Sequence, residues 1–305
     1  MTQQAHKSSI FDSKTPLPDA ALVKKARTLL GFDERYLRVR DRLQLFLRLS
    51  ELPAWSKTHH EGVIPLCDLI AEQYPLVIFY GDVGTGKTVT AECLANRLVA
   101  EAGEVADESI LFKLSTRVRG SGKVGEMGTL ITEAFYEVVQ SAGKSRRAIL
   151  IIDEGDSLAA KRSQEHSHHE DKVAVNTLIQ HVDALRQYNG RVLVFLCTNR
   201  LGVLDAALMR RAALVEPFTR PTDGERLQLF RQDLAGLGLN DKAFAALMAA
   251  TAKRDDGTPP WTFSDIRTRL YPAALAKAFP KQPLTLRHFL DAADEITPSP
   301  VMEDA

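Results

Sequence analysis

The stretch Gly81-Asp82-Val83-Gly84-Thr85-Gly86-Lys87-Thr88 decides the fold. It satisfies the phosphate-loop pattern G-x-x-x-x-G-K-[ST] at every fixed position. Its flanks agree. Pro75 to Tyr80 is a short apolar run that reads as a buried strand entering the loop. Thr88 to Ala100 carries Ala91, Leu94, Ala95 and Leu98 at helical spacing and reads as the helix leaving it. Glycines let the backbone turn tightly, so that successive N–H groups face an anion. The helix N-terminus adds partial positive charge. Lys87 can reach the β- and γ-phosphates of ATP, and Thr88 can offer its hydroxyl to Mg2+. Gly81 to Val89 is therefore the expected nucleotide-binding segment.

Working outward, further β-rich apolar runs occupy residues 109–114, 148–153, 191–197 and 213–218. Helical stretches at 88–100, 124–141, 171–187 and 203–211 separate them. Such alternation means a parallel sheet, here of about five strands, lying between helices. Pro217 and Pro221 break the chain, and beyond them the pattern is helical only, at 223–236, 240–253, 263–279 and 285–295. That predicts a small all-α lid. Upstream, residues 1 to about 18 are polar and proline-punctuated and read as a mobile arm. Asp19 to Leu52 reads as amphipathic helix, which Pro53 should stop. The expected division is residues 1–55 as arm and helix, 56–218 as the α/β domain and 219–305 as the lid.

Hydrophobic residues at 45% and charged residues at 26% are the balance of a soluble globular chain. Lys+Arg and Asp+Glu are equal at 39 each, which argues against a protein that coats nucleic acid. Cys67, Cys93 and Cys197 have no metal-ligand spacing and read as small buried hydrophobes of a reducing compartment. The first residues lack the apolar core of a secretory signal, and no apolar run approaches the roughly 18 residues of a membrane span. A cytoplasmic location is the expectation.

The second chemical signal is Ala148 to Glu154, an apolar strand ending in Asp153-Glu154. Open α/β sheets bind ligands at the carboxyl ends of their strands. There Asp153 would hold Mg2+ through water and Glu154 would act as general base on the attacking water. The strand 191–197 ends in Thr198-Asn199-Arg200, where the Asn199 amide can touch both phosphate and water. Arg210 and Arg211 close a short helix. Either can reach a phosphate held by a neighbouring subunit, or simply favour the helix C-terminus. The tract His166, His168, His169 has no cysteine nearby and reads as a solvated loop rather than a metal site.

The order of these motifs, closed by Asp205-Ala206-Ala207-Leu208-Met209-Arg210-Arg211 and a helical lid, resembles the AAA+ ATPases over about residues 60 to 295. Further details narrow it. They are Asp153-Glu154-Gly155-Asp156-Ser157-Leu158, the later run Val175 to Asp183, Ser121-Gly122-Lys123, Arg211-Ala212, Ser264 and Pro272. Together these are similar to the pachytene-checkpoint branch, whose members remodel HORMA-domain proteins. Its bacterial relatives, in cyclic-oligonucleotide antiphage operons, take a HORMA protein off a CD-NTase-type nucleotidyltransferase. About 55 residues precede the core, fewer than the substrate-binding domain of the meiotic members needs, which points to a short bacterial member.

The resemblance implies a homo-hexamer with ATP between subunits and a pore. It puts the first pore loop at Thr116 to Gly120, with Val118 between Arg117 and Arg119 as the gripping side chains. The second falls near residues 161–171. It also assigns the γ-phosphate contact of the lid to Arg267, with Arg269 as a second option. The implied function is ATP-driven, partial unfolding of a HORMA-domain protein, restraining an antiphage signal. Nucleic acid and membrane are not expected partners. The alternative class is a clamp or helicase loader, disfavoured by the zero net charge and by the lack of aromatics among the basic residues.

Overall fold

The computed structural model describes residues 10–102, 109–115, 126–143, 146–158 and 169–302. In chain order its first elements are β1 (Phe11–Leu17), α1 (Ala20–Ala26), α2 (Phe32–Leu47), α3 (Leu52–His59), α4 (Pro65–Ala71), β2 (Leu76–Gly81) and α5 (Lys87–Glu101). Next come β3 (Ser109–Leu114), α6 (Glu126–Ala142), β4 (Ala148–Ile152), α7 (Gly155–Leu158) and α8 (His169–Ala184). Then follow β5 (Val192–Thr198), α9 (Ala206–Met209) and β6 (Ala212–Phe218). The last helices are α10 (Asp223–Asp233), α11 (Asp241–Ala250), α12 (Tyr271–Ala278) and α13 (Leu286–Glu295).

Every residue of β4 and β5 is buried, the signature of strands covered on both faces. They pair in parallel, with Leu150 opposite Val194. β3 lies parallel on the other side of β4, and β2 parallel on the other side of β5. The full order is β1-β3-β4-β5-β2-β6. The parallel strands direct their carboxyl ends to one edge, where β4 and β5 run out into Asp153 and Asn199. A core of Ile131, Phe135, Val138, Ala174, Leu178 and Val182 from α6 and α8 covers one face.

Two expectations about the N-terminal region are corrected. The segment read as a mobile arm contains a sixth strand: β1 pairs antiparallel with β3, with Lys14 opposite Phe112. Only its ends, Phe11 and Leu17, are apolar and buried, while Asp12 to Lys14 are exposed. An edge strand with a polar middle carries almost no hydrophobic signal in sequence. Packing anchors it, with the Phe11 and Phe112 ring centroids 4.9 Å apart. Just beyond it, Asp19 and Asn96 clasp each other. The Asp19 N–H donates to Asn96 Oδ1 at 2.6 Å, and Asn96 Nδ2 donates to the Asp19 carbonyl at 3.1 Å.

The second correction concerns Pro53. It does not stop a helix; it sits in the first turn of α3, where a missing N–H leaves no gap in the ladder. Helix α2 has already ended at Leu47, after burying Tyr36, Val39, Leu43 and Phe46. The Tyr36 hydroxyl donates to Glu101, and the Arg97 guanidinium lies 4.0 Å from the Tyr36 ring centroid.

The described chain forms two compact units. One holds the residues up to Tyr80 and from Thr88 to Glu216; the other holds Gly81–Lys87 and the residues from Pro217 onward. The second unit is helical. Thr222 and Glu225 form a reciprocal capping box at the start of α10, and Asn240 caps α11 by accepting from Ala243 N at 2.9 Å. The expected helix over 263–279 is wound in two parts, a π-helical run from Asp265 to Leu270 and then α12. Pro272 cannot donate back along the ladder, and the wider winding precedes it. Trp261, Phe230, Leu270 and Phe289 are fully buried here. Among the described residues no helix is long and apolar enough to cross a membrane.

If β1 is held by its apolar ends, Phe11→Ala lowers stability by about 3 kcal/mol, the usual order for a truncated buried aromatic. Urea unfolding followed by circular dichroism reads this directly. An unchanged midpoint would show that the strand adds nothing.

Candidate functional site

Strand β2 runs straight into the glycine loop, and two of its glycines are required by geometry. Gly81 has φ +141°, and a Cβ there would lie 1.9 Å from the Phe218 carbonyl oxygen. Gly84 has φ +78°, with a Cβ position 2.7 Å from Thr262 Oγ1. Any side chain at either place would force the backbone to move. Lys87 is buried and curls back over the loop, its Nζ donating to the carbonyls of Gly81 and Asp82, both at 2.8 Å. Thr85 Oγ1 also donates to the Asp82 carbonyl at 2.8 Å. Val83 stands exposed at the tip.

The other unit carries the side chains expected to serve hydrolysis. Thr88, in the first turn of α5, donates from Oγ1 to Asp153 Oδ2 at 2.8 Å. The other Asp153 oxygen accepts from the Glu154 N–H at 3.0 Å. A hydroxyl and a carboxylate brought together in this way are hard oxygen donors that suit a divalent cation such as Mg2+. Glu154 has φ +52°, one of two non-glycine residues with positive φ among the described residues. The strain is of order 1 kcal/mol and turns its side chain out of the strand direction into solvent. Ser157 stabilises the turn, its N–H and Oγ donating to the Glu154 carbonyl at 2.9 and 2.7 Å.

Asn199 follows β5 and is half-buried. Its N–H donates to Asp156 Oδ1 at 3.3 Å, and Thr198 Oγ1 donates to the same oxygen at 3.1 Å. Asp156 therefore ties the end of β5 to the turn that carries Glu154. Sequence reasoning did not single Asp156 out. The available signal was its place two residues after Glu154, at the start of a helix one turn long.

Arg210 and Arg211 follow α9, which Asp205 caps by accepting from Ala207 N at 2.8 Å. Arg210 is exposed. Arg211 is gripped. It forms a fork with Asp183, its Nη2 donating to Oδ2 at 2.9 Å, and its Nη1 donates to the Ala207 carbonyl at 2.8 Å. The Tyr74 ring centroid lies 5.3 Å from its guanidinium carbon. The hydrogen bond it donates to Asp183 raises the Arg211 pKa further and keeps it charged. Both arginines line an open cavity of about 680 Å3, with Arg42, Arg186, Tyr74 and Leu69. The anchors Asp183 and Tyr74 lie far apart in the chain and were not foreseen.

In the helical unit Arg267 is paired with Asp233 through two bonds of 2.7 and 2.8 Å, and Arg269 with Asp265 at 3.2 Å. Arg117, Val118 and Arg119 lie outside the described residues, as do Ser121 to Lys123 and the histidines 166 and 168. Among the described residues no group of three His, Cys, Asp or Glu side chains could hold a metal. The three cysteines are buried and none is in a disulfide, and burial pushes the Cys93 thiol up to about 11.

The phosphate loop and the parallel sheet define a P-loop ATPase, and residues 77–220 match the family described as "ATPase family associated with various cellular activities (AAA)". Over 298 residues the chain is 61% identical to "CD-NTase-associated protein 6" of Escherichia coli (strain KTE188), covering 98% of this chain and 99% of that one. The chain belongs to the CD-NTase-associated protein 6 family, within the AAA ATPases. Among solved structures it superposes on a chain of the "E. coli MS115-1 HORMA:CdnC:Trip13 complex" with a TM-score of 0.84 and 34% identity, covering 96% of this chain and 97% of that one. It shares its fold with C. elegans PCH-2, at a TM-score of 0.71 and 19% identity, over 95% of this chain and 76% of that one. The expected fold, an α/β sheet followed by a helical portion, is borne out, as is the expected kinship. The chain is a nucleotide-binding ATPase.

Removing the acceptor that holds the Asn199 turn tests its role. Asp156→Ala lowers steady-state ATP turnover about tenfold, the equivalent of ~1.4 kcal/mol, with KM for ATP little changed. An unaltered kcat would dismiss the tie as incidental.

Proposed function

We propose that this chain is an ATP-driven remodeller of a HORMA-domain protein, acting as a homo-hexamer in the cytoplasm. The observation that carries the reading is the oxygen pair Thr88–Asp153 beside the left-handed Glu154, in a chain so close to the one in the HORMA:CdnC:Trip13 complex. By that kinship the substrate is a HORMA protein engaged with a CD-NTase-type nucleotidyltransferase, and its release restrains antiphage signalling. Such a protein must be pulled through a barrier that thermal motion crosses slowly, which is what coupled hydrolysis supplies.

In this reading Gly81 to Val89 bind ATP, with Lys87 leaving its loop carbonyls for the β- and γ-phosphates. Thr88, and Asp153 through water, would hold Mg2+, which would supply charge neutralisation for the triphosphate. Glu154 takes the proton from the attacking water, and Asn199 orients that water against the γ-phosphate. Arg210 and Arg211 belong to the neighbouring subunit's site. Arg210 is free to reach, and Arg211 is held by Asp183 so that little side-chain entropy is lost when it meets phosphate. Arg267 serves the γ-phosphate from the lid after exchanging Asp233 for it. Arg117, Val118 and Arg119 grip the threaded segment.

Two experiments test this. Glu154→Gln keeps ATP bound while turnover falls at least a hundredfold, and the wild type is stimulated severalfold by a HORMA protein encoded beside it. Stimulation by DNA and none by the HORMA protein would favour a loader instead. For the arginines, Arg210→Ala and Arg211→Ala each bind nucleotide normally but hydrolyse slowly. Mixed with Lys87→Ala, a chain lacking a true finger regains part of its activity only if the arginine acts in trans; no gain over either parent in both mixtures refutes that role.

A further inference from the structure

The phosphate loop contains a carboxylate at one of its variable positions. Asp82 is buried, its side chain only 10% exposed. It belongs to a loop whose task, on the reading above, is to gather a polyanion. An uncompensated buried charge there would be costly in itself and would repel each phosphate. The compensation comes from a residue 138 positions later. Arg220 Nε donates to Asp82 Oδ2 at 2.6 Å, and the Arg220 side chain is itself only 8% exposed.

The remaining guanidinium nitrogens are held by backbone alone. Nη1 donates to the Pro260 carbonyl at 2.6 Å, and Nη2 to the carbonyls of Ser299 and Pro300 at 2.9 and 2.7 Å. The segment after α13 completes the clasp. The Met302 N–H donates to the other Asp82 oxygen, Oδ1, at 2.8 Å. Ser299 anchors this strap to Asp265, its Oγ donating to Oδ1 at 2.7 Å and its N–H to Oδ2 at 3.2 Å. Burial works to raise the Asp265 pKa, but the bonds from Ser299 and Thr262 outweigh it and hold the carboxyl below its ordinary value. Asp265 also takes the Thr262 N–H and hydroxyl at 3.1 and 2.9 Å. The Ser264 N–H then donates to the Gly84 carbonyl at 3.1 Å. The strap, Arg220 and Asp265 thus grip the phosphate loop at Asp82 and at Gly84.

We propose that Arg220 is a positioning residue for ATP, and that Ser299–Met302 is the strap that fixes it. Arg220 cancels the Asp82 charge and the strap immobilises both, so that the loop offers the triphosphate a rigid cradle with no uncompensated negative charge. The inference rests on the reading of Gly81 to Thr88 as the ATP site.

The test compares chains carrying Arg220→Gln, Asp82→Asn or both changes with a chain ended by a stop after Pro298. Binding of a fluorescent ATP analogue and the kcat and KM of hydrolysis are measured, with melting curves for each chain. Arg220→Gln weakens analogue binding about thirtyfold and raises KM in step, while kcat falls less than threefold. It weakens ADP less than ATP and leaves adenosine unaffected, because the added repulsion scales with phosphate charge. The double variant recovers to within about threefold of wild type. Asp82→Asn alone tightens ATP binding threefold or more, and the strapless chain loses about tenfold. Equal damage in the single and double variants would overturn the proposal by marking a structural loss. So would equal loss for ATP and adenosine, or wild-type binding by Arg220→Gln. If Arg220→Gln melts below the assay temperature, Asp82→Asn and the strapless chain decide, and weakened binding by Asp82→Asn refutes the idea. Failure of the wild type to bind the analogue, with Lys87→Ala no different from it, would instead refute the ATP site.

Discussion

Burial of β4 and β5 on both faces is the constraint from which the rest follows. Strands with no wet side must be covered by helices above and below, and parallel pairing is the arrangement that βα repeats produce. Once parallel, they deliver their carboxyl ends to a common edge. That is why the Asp156 side chain, in the turn just after Asp153, can bond Thr198 and the Asn199 N–H, more than 40 residues further along the sequence. The hydrogen bond from Thr88 to Asp153 depends on the same ordering, since it requires the helix after β2 to start beside the end of β4.

The charges show a second regularity. The arginines expected or proposed to serve the phosphate site are, with the exception of exposed Arg210, held by carboxylates: Arg211 by Asp183, Arg220 by Asp82, Arg267 by Asp233 and Arg269 by Asp265. A forked guanidinium–carboxylate pair fixes orientation as well as charge. A protein that binds a polyanion needs positive charge near it without leaving that charge free to collapse the empty site. Pairing each arginine with an internal acid does this.

Much of the fold was legible because its signals are local. The glycine loop, the Asp-Glu pair and the fully apolar strands each fit within a few residues, and their periodicities differ enough to separate strand from helix. β1 was hidden because an exposed edge strand keeps only two apolar anchors, Phe11 and Leu17. Pro53 misled because a proline that ends one helix and a proline that opens the next look identical without the dihedral angles on either side. The short helices α3 and α4 lacked enough turns to show a period.

By itself the sequence determined that this protein is an ATPase with a phosphate loop and a strand ending in Asp-Glu, and that its strands and helices alternate and then give way to helices. These are properties of short segments, fixed by backbone conformation and residue chemistry. Only the tertiary structure decided which distant residues serve them. The partners Asp156, Asp183, Tyr74 and Arg220, and the strap at Ser299 to Met302, are chosen by where the chain returns in space. Long-range pairing of buried charge leaves no periodic trace along the chain, because its requirement is met by any residue that arrives at the right point with the right sign.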